Sequence, residues 1–198
     1  MSRQVLTIKA GDEVLRRFEN GLGALGKDRA QKVMARALNR TGGPTLTKIR
    51  RVLAQRTSTP MSIIRRQVYA SKAWAGAAGG EGKLDFKIIA SGRPLPLAVF
   101  KPTEFKFGVR AKVWGRVQRF DGAFMRGGKW PNRVELNMGT GQVYVRASAR
   151  RTPIERVYGP SLPKELVEEE VFDAFEASVA RLGGDIAHEL DRELSKFD

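Results

Sequence analysis

The distribution of charge along this chain is its most restrictive feature. Residues 29–80 contain no Asp or Glu, yet they carry eleven Lys or Arg side chains. Residues 152–198 are the reverse, with five cations and twelve acids, and their net charge is −7 against +22 for the first 151 residues. A chain with its charges so separated can meet a polyanion with one part and a basic neighbour, including its own copy, with the other.

Composition favours a soluble globular protein that is made inside the cell. A length of 198 residues allows one good core, or one domain with an appended helical segment, and 41% hydrophobic residues is far from the disordered range. The absence of Cys excludes disulfides and thiolate metal sites. No run approaches the roughly 20 apolar residues that a membrane helix needs, and residues 1–11 lack the apolar core of a signal peptide. A net charge of +15 favours a place beside nucleic acid, although many basic proteins bind nothing specific.

The acid-free run contains the clearest helix of the sequence, over residues 28–41. Its apolar residues recur at i, i+3, i+4, i+7 and i+8, which makes one apolar face. Its cations recur at 3-4-4 spacing and form a second, cationic stripe of Arg29, Lys32, Arg36 and Arg40. The Gly-Gly-Pro sequence at 42–44 predicts a break or kink, followed by a second helix over 45–55. A third, shorter helix starts at 58–60 and runs through 66.

The segments on either side of the basic helices predict an α+β fold. A strand over 4–10, a helix over 12–21 capped by Asp12, and a Gly-rich turn over 21–26 come first. After the basic helices, strands are expected at 67–73, 83–91, 105–117, 120–126, 133–137 and 141–147, with a mobile linker at 76–82 and a helical turn at 95–100. They predict one central, mostly antiparallel sheet of five or six strands, with Phe105, Phe107, Val109, Ala111 and Val113 on one face.

A long acidic helix is predicted to close the chain over residues 161–198. Its nearly heptad-like apolar stripe can pack on its own sheet or on a neighbouring subunit, and packing in the chain's own core is favoured. The predicted segments are 1–26, the basic helices at 27–72, the sheet at 73–160 and the acidic helix at 161–198. Together they form one compact unit rather than independent domains.

The sequence does not predict a catalytic, metal-binding or cofactor-binding site. Residues 21–26 match GxGxxG, but dinucleotide binding needs a preceding strand and an acid about 20 residues onward, and neither is found here. We therefore interpret this motif as a turn between helices. His188 is the only histidine, and no GxSxG elbow supports a hydrolase triad. The acids at 168–170 and 189–193 could hold Mg²⁺ for a nuclease, but they lie on one predicted helix, where a solvated face is the ordinary explanation.

Several short segments resemble, in order and spacing, the minor tail protein Z family of long-tailed phages and prophages. The resemblance covers about residues 25–180. The chain departs from the family at 42–44, because the family's helix is expected to continue through the position where this sequence predicts a break. The segments that carry the resemblance are ALNRT at 37–41, GRPLPLAVF at 92–100, GVRA at 108–111, GAF at 122–124, VYVR at 143–146 and TPIERVYGPS at 152–161.

The resemblance implies a structural role in the virion, as a tail-completion protein of the neck beside the head–tail junction. Such a protein is expected to assemble as a ring, sixfold to match the tail, with double-stranded DNA passing through its lumen. Its other neighbours would be tail-tube or tail-terminator proteins and the head–tail connector. No enzymatic activity is implied.

Charge and periodicity select the residues that would meet the polyanion without reading its sequence. The expected polyanion-facing side chains are Arg36, Arg40, Arg50, Arg51, Arg65 and Arg66. Candidate subunit contacts are Phe124 and Trp130, which could equally fill the core of the sheet, and Phe172 and Phe175 on the terminal helix. The alternative function is a host protein of the chromatin or ribosome type that binds nucleic acid without sequence preference.

Overall fold

The computed structural model describes residues 2–77, 80–136, 141–148 and 152–196 as a mixture of α-helices and antiparallel strands, so the predicted α+β class is confirmed. The helices are α1 (Asp12–Arg17), α2 (Glu19–Ala24), α3 (Lys27–Thr57), α4 (Met61–Gln67), α5 (Leu162–Leu166), α6 (Glu169–Val179) and α7 (Leu182–Leu194). The strands are β1 (Ser2–Ile8), β2 (Val68–Ser71), β3 (Phe86–Gly92), β4 (Thr103–Phe105), β5 (Gly108–Val113), β6 (Arg116–Asp121), β7 (Arg126–Gly128), β8 (Arg133–Glu135), β9 (Tyr144–Arg146) and β10 (Ile154–Arg156).

Helix α3 is continuous through the Gly-Gly-Pro sequence, so the predicted break at 42–44 is wrong. A residue before proline is pushed out of the helical region mainly by its Cβ, and Gly43 has none. Gly42 is buried against Phe86 of β3, where a Cβ would lie less than 3.0 Å from three ring carbons. The contact with the sheet holds the helix together where the local sequence favours an end. At 31 residues α3 is about 46 Å long and packs against the first sheet and the three C-terminal helices.

The first sheet packs against α3. Its strand order is β1-β3-β2, with both neighbours antiparallel to the central β3. The alternate residues Leu6, Phe86, Ile88, Ala90 and Val68 face inward and are buried in the main hydrophobic cluster. That cluster draws residues from all four predicted segments of the chain.

The remaining strands form small separate sheets rather than one central sheet, so that part of the prediction is wrong. The segment 105–117, predicted as one strand, folds back at Trp114 and Gly115, whose φ angles of 50° and 73° are those of a two-residue hairpin turn. The result is the sheet β4-β5-β6, beside the hairpins β7-β8 and β9-β10. The predicted strand at 120–126 is interrupted at Gly122, and residue 137 of another predicted strand lies outside the described residues.

The C-terminal helical segment packs into the chain's own core, as favoured. It is divided into α5, α6 and α7, and the last two lie against α3 rather than against a sheet. The buried side chains of its apolar stripe are Leu166, Val171, Phe175, Leu182, Ile186 and Leu190. The most acidic helices of the protein therefore pack on its longest basic helix.

Candidate functional site

Two of the six predicted polyanion-facing arginines are paired within the chain. The Arg36 Nη1 lies 2.9 Å from Glu193 Oε2. Arg40 reaches two carboxylates of α7, with Nε 3.2 Å from Asp185 Oδ1 and Nη1 3.4 Å from Glu189 Oε1. The side chains of Asp185 and Glu189 are only 10% and 5% exposed, so these pairs join α3 to α7 in a partly buried layer.

Arg50 is also used within the fold. Its Nε and Nη2 donate to the Val68 carbonyl oxygen at 3.0 and 2.6 Å, which fixes α3 to the start of β2. Burial lowers the pKa of the Arg50 guanidinium, and the positive charge of Arg65 lowers it further. Arg50 thus acts as a backbone clamp rather than as part of an open cationic face.

Arg51, Arg65 and Arg66 are exposed on α3 and α4. Among the described residues, no carboxylate lies within 4.0 Å of their guanidinium groups. Their exposure leaves the prediction that they face a polyanion possible on geometric grounds. The six predicted arginines are consequently divided, with Arg36, Arg40 and Arg50 used within the fold and Arg51, Arg65 and Arg66 open to solvent.

Arg56 holds the acidic run at 168–170 in place, a role that sequence reasoning missed. Its guanidinium lies 2.8 Å from Glu165, 2.9 Å from Glu168 and 3.1 Å from Glu170. The hydrogen bonds that Glu165 and Glu170 accept from Arg56 raise the pKa of its guanidinium above the ordinary value. Glu165 also accepts a 2.9 Å bond from the indole N–H of Trp114. Two of the three carboxylates in the run at 168–170 therefore bind a guanidinium.

The other catalytic candidates of the sequence lie apart from any cluster. Within the described ranges, no group of three His, Cys, Asp or Glu side chains is arranged to hold a metal ion. His188 is exposed on α7. Residues 21–24 of the GxGxxG motif form the end of α2, and Leu25 and Gly26 connect it to α3, so the motif does join two helices, although the connecting turn is shorter than predicted. In the part of the chain that the structure describes, no helix combines the length and apolar character needed to cross a bilayer.

The four candidate subunit contacts differ in exposure. Trp130 and Phe172 present 45% and 42% of their surface to solvent. Phe124 is half-buried beside Tyr144, with a ring-centroid distance of 6.2 Å. Phe175 is 9% exposed within the chain's own core and has almost no surface to offer another subunit, so its selection as a contact residue is corrected.

A stacked arginine cluster on the solvent face of β4-β5-β6 was not predicted. It consists of Phe105, Phe107, Arg110, Arg119 and Asp121. The two phenyl rings are parallel at a centroid distance of 5.3 Å. The Arg110 guanidinium lies 5.0 and 5.1 Å from the two ring centres, and that of Arg119 lies 3.9 Å from the Phe107 ring and contacts Asp121.

A hairpin turn at Trp114-Gly115 is the signal that could have revealed this cluster. Such a turn places Arg119 directly opposite Arg110, which is their observed register. A single strand over 105–117 would place Arg110 and Arg119 far apart, so the predicted strand gave no sign of their pairing.

A basic cleft of about 560 Å³ adjoins the stacked arginine cluster. It lies between the β4-β5 turn, the β7-β8 hairpin and β9. Four cations line it, and none of its described lining residues is acidic. Glycine backbone makes up much of its wall. The lining cations are Lys106, Arg126, Arg133 and Arg146.

The ion pairs of the α3–α7 layer should make the free energy of unfolding decrease as the pH becomes acidic. Hydrogen bonds from Lys196 and then Arg36 lower the pKa of the Glu193 carboxyl. A carboxyl whose pKa is lowered in the folded state contributes stability above its unfolded pKa of about 4.3, and that stability is lost as pH falls through the folded value. We expect Glu193→Gln to flatten the pH dependence of the urea midpoint below about pH 4.5 and to leave its slope near pH 7 unchanged. An unaltered acid limb would contradict this assignment, and Asp191→Asn on the exposed side of α7 is the matched control.

Comparison with known proteins places this chain in no family. No family model, no curated protein and no solved structure matches it.

Proposed function

We propose that this protein is a structural component of the virion of a long-tailed phage or prophage. In this role it completes the tail at the head–tail junction, as part of a ring that borders the DNA passage. The resemblance of short segments to the minor tail protein Z family suggests the role. The observation that carries the proposal is that the segments on which the resemblance depends are separated in sequence but joined by backbone hydrogen bonds in the fold.

Two pairs of these segments are joined by backbone hydrogen bonds. The segment at 92–100 meets the segment at 152–161, where the N–H of Leu95 donates to Pro160 at 2.9 Å and that of Gly159 donates to Leu95 at 2.7 Å. The segment at 122–124 meets the one at 143–146, where Phe124 and Tyr144 exchange bonds of 2.8 and 2.9 Å.

The ALNRT element has a clear architectural role. The Asn39 side chain bonds both backbone groups of Ala73, with its amide donating at 2.8 Å and its oxygen accepting at 3.0 Å. Thr41 Oγ1 donates to Asp185 at 2.7 Å, and Arg40 pairs with the same helix. Three consecutive residues of α3 therefore tie the segment after β2 and helix α7 to the same helix, which is continuous through 42–44.

The surface suits an assembling protein. Large apolar side chains are exposed at Trp130 and Phe172, and exposed aromatic residues are enriched where subunits meet. We infer a homo-oligomeric ring, sixfold to match the tail, with tail-tube or tail-terminator proteins and the head–tail connector as neighbours and duplex DNA in its lumen. Exposed cations at Arg51, Arg65 and Arg66 fit a weak, sequence-blind attraction to that DNA.

Electron microscopy of particles from the phage or induced prophage that encodes this chain tests the proposal. We expect a closed ring of this fold at the head–tail joint. Complementation with two tryptophan variants sharpens the test, because Trp130 is a proposed contact and Trp74, at 54% exposure, is not. Trp130→Ser should lower the yield of joined particles, whereas Trp74→Ser should not. Particles that lack the chain altogether would overturn the neck assignment and leave a free nucleic-acid-binding protein as the better explanation.

A further inference from the structure

We propose that the principal DNA-binding surface of this protein is the stacked arginine cluster together with the basic cleft, and that it holds the phosphate backbone of duplex DNA. This deepens the proposed function by naming the residues that border the DNA, and in that sense it rests on it. It also moves the polyanion face from the helices, where the charge pattern put it, to the β-hairpins.

The register of β5 and β6 places two like charges side by side. Arg110 and Arg119 are direct cross-strand partners on the exposed face, and Lys112 follows on the same face opposite Val117. Like charges directly opposite each other destabilise a sheet. Asp121 is the one carboxylate of the described chain that lies within 4.0 Å of either guanidinium. A second anion bound between the arginines would remove the repulsion.

Stacking leaves the N–H donors of Arg110 available, whereas Arg119 uses its Nε on Asp121 and has its two Nη groups left to donate. A guanidinium that lies over a phenyl ring keeps its N–H donors in the plane of the fork, where they match phosphate oxygens in pairs. The parallel rings of Phe105 and Phe107 also restrain both side chains, so less conformational entropy is lost when a phosphate binds.

The cluster and the cleft form one continuous surface. Phe107 belongs to both, since it stacks against Arg119 and also lines the cleft beside Lys106. Glu104 accepts from the Met125 N–H at 3.2 Å and lies 3.6 Å from Arg133, so it offsets one of the four cleft cations. The exposed side chains of Lys106 and Arg126 continue the cationic surface from the outer face of the hairpin into the cleft.

The chemistry of this surface favours duplex DNA over two other polyanions. A single strand is usually held by stacking its bases on free aromatic faces, but Phe107 is already packed between Phe105 and the arginines. An acidic protein partner would call for an apolar centre with a polar rim, whereas the cleft is lined by cations and glycine backbone. Phosphate contact from exposed Arg and Lys is the usual mode of sequence-blind duplex binding.

Fluorescence anisotropy with a labelled 30-base-pair duplex of mixed sequence, measured over a range of NaCl concentrations, tests the proposal. The hairpin variant is Arg110→Gln/Arg119→Gln. The helix variant, Arg51→Gln/Arg66→Gln, removes the same charge from exposed positions of α3 and α4. We expect the hairpin variant to bind roughly 10- to 30-fold more weakly near 0.15 M salt, with a salt slope smaller by about two. The helix variant should change affinity less than about threefold.

The other outcomes overturn the proposal. Equal weakening of both variants would show a general charge effect, and a larger loss in the helix variant would return the site to the helices. Tighter binding to a single-stranded 30-mer or to poly-L-glutamate than to the duplex would assign a different partner. Circular dichroism checks that the variants fold, and Lys106→Gln/Arg126→Gln in the cleft is a second variant that leaves the stack intact. DNA binding lost in the hairpin variant while the chain is missing from particles would uphold this inference and reject the neck role.

Discussion

Replacing Gly42 with alanine is expected to lower the free energy of unfolding by about 2 kcal/mol, although alanine is the better helix former. The added Cβ would lie less than 3.0 Å from three carbons of the Phe86 ring, and Phe86 is 1% exposed in the core. Neither α3 nor β3 can move away without opening the packing between them. Urea denaturation followed by circular dichroism measures the loss.

Gly184 provides the matched control for this substitution. It is a helical glycine of α7 with no atom within 4 Å of its hypothetical Cβ, and it is exposed. Gly184→Ala should therefore raise stability by up to about 1 kcal/mol through helix propensity alone. If Gly42→Ala also raised stability, the close approach of α3 to Phe86 would not be what requires glycine there.

Replacing Arg40 with methionine is expected to cost about 2 kcal/mol, because it removes the main cationic partner of two mostly buried carboxylates in the α3–α7 layer. Asp185 and Glu189 have side chains that are 10% and 5% exposed, and Arg40 is paired with both. Asp185 keeps the Thr41 hydroxyl and Glu189 keeps Arg192 at 3.6 Å, so the loss is smaller than for a buried charge without any partner. The urea midpoint of Arg40→Met at pH 7 gives the measurement.

A double-mutant comparison identifies the cause of that loss. In a background of Asp185→Asn and Glu189→Gln, which are nearly isosteric and neutral, Arg40→Met should cost less than about 1 kcal/mol. Arg36→Met is the second control, because its partner Glu193 keeps a 2.7 Å contact with Lys196 and so the loss should be small. An undiminished cost in the neutral background would mean that Arg40 stabilises the fold by packing rather than by charge.

Local periodicity predicted the elements whose contacts follow from their own sequence. The apolar face of residues 28–41 is buried, and so is most of the stripe of the C-terminal segment, in which Phe172 and Leu194 are the exposed members. The errors came where a distant contact overrode a local signal. Gly42, Gly43 and Pro44 favour a helix end, and Phe86, which lies 44 positions away, holds the helix continuous. The turn at Trp114 was missed because a bulky residue rarely takes a positive φ, here 50°.

The sequence predicted that the candidate site is cationic, but it could not show which cations remain exposed in the fold. The acid-free run identified a cationic helix, yet its sequence could not show that Asp185, Glu189 and Glu193 would pack onto Arg36 and Arg40. Ion-pair partners separated by more than 140 positions have no local signature. The exposed arginines of β5 and β6, in contrast, follow from register once the turn between them is known.

The ion pairs between α3 and α7 can form only late in synthesis, because the ribosome makes α3 long before α7. The α7 carboxylates that pair with Arg36 and Arg40 lie 145 to 157 positions after them. At roughly 5–20 residues per second, the ribosome adds them about 7 to 31 s later. During that interval Arg36 and Arg40 lack these partners while the nascent chain is still beside the ribosomal RNA. Once α7 is made and packs on α3, its carboxylates neutralise Arg36 and Arg40. The finished protein is therefore attracted to the ribosomal RNA less strongly than the incomplete chain.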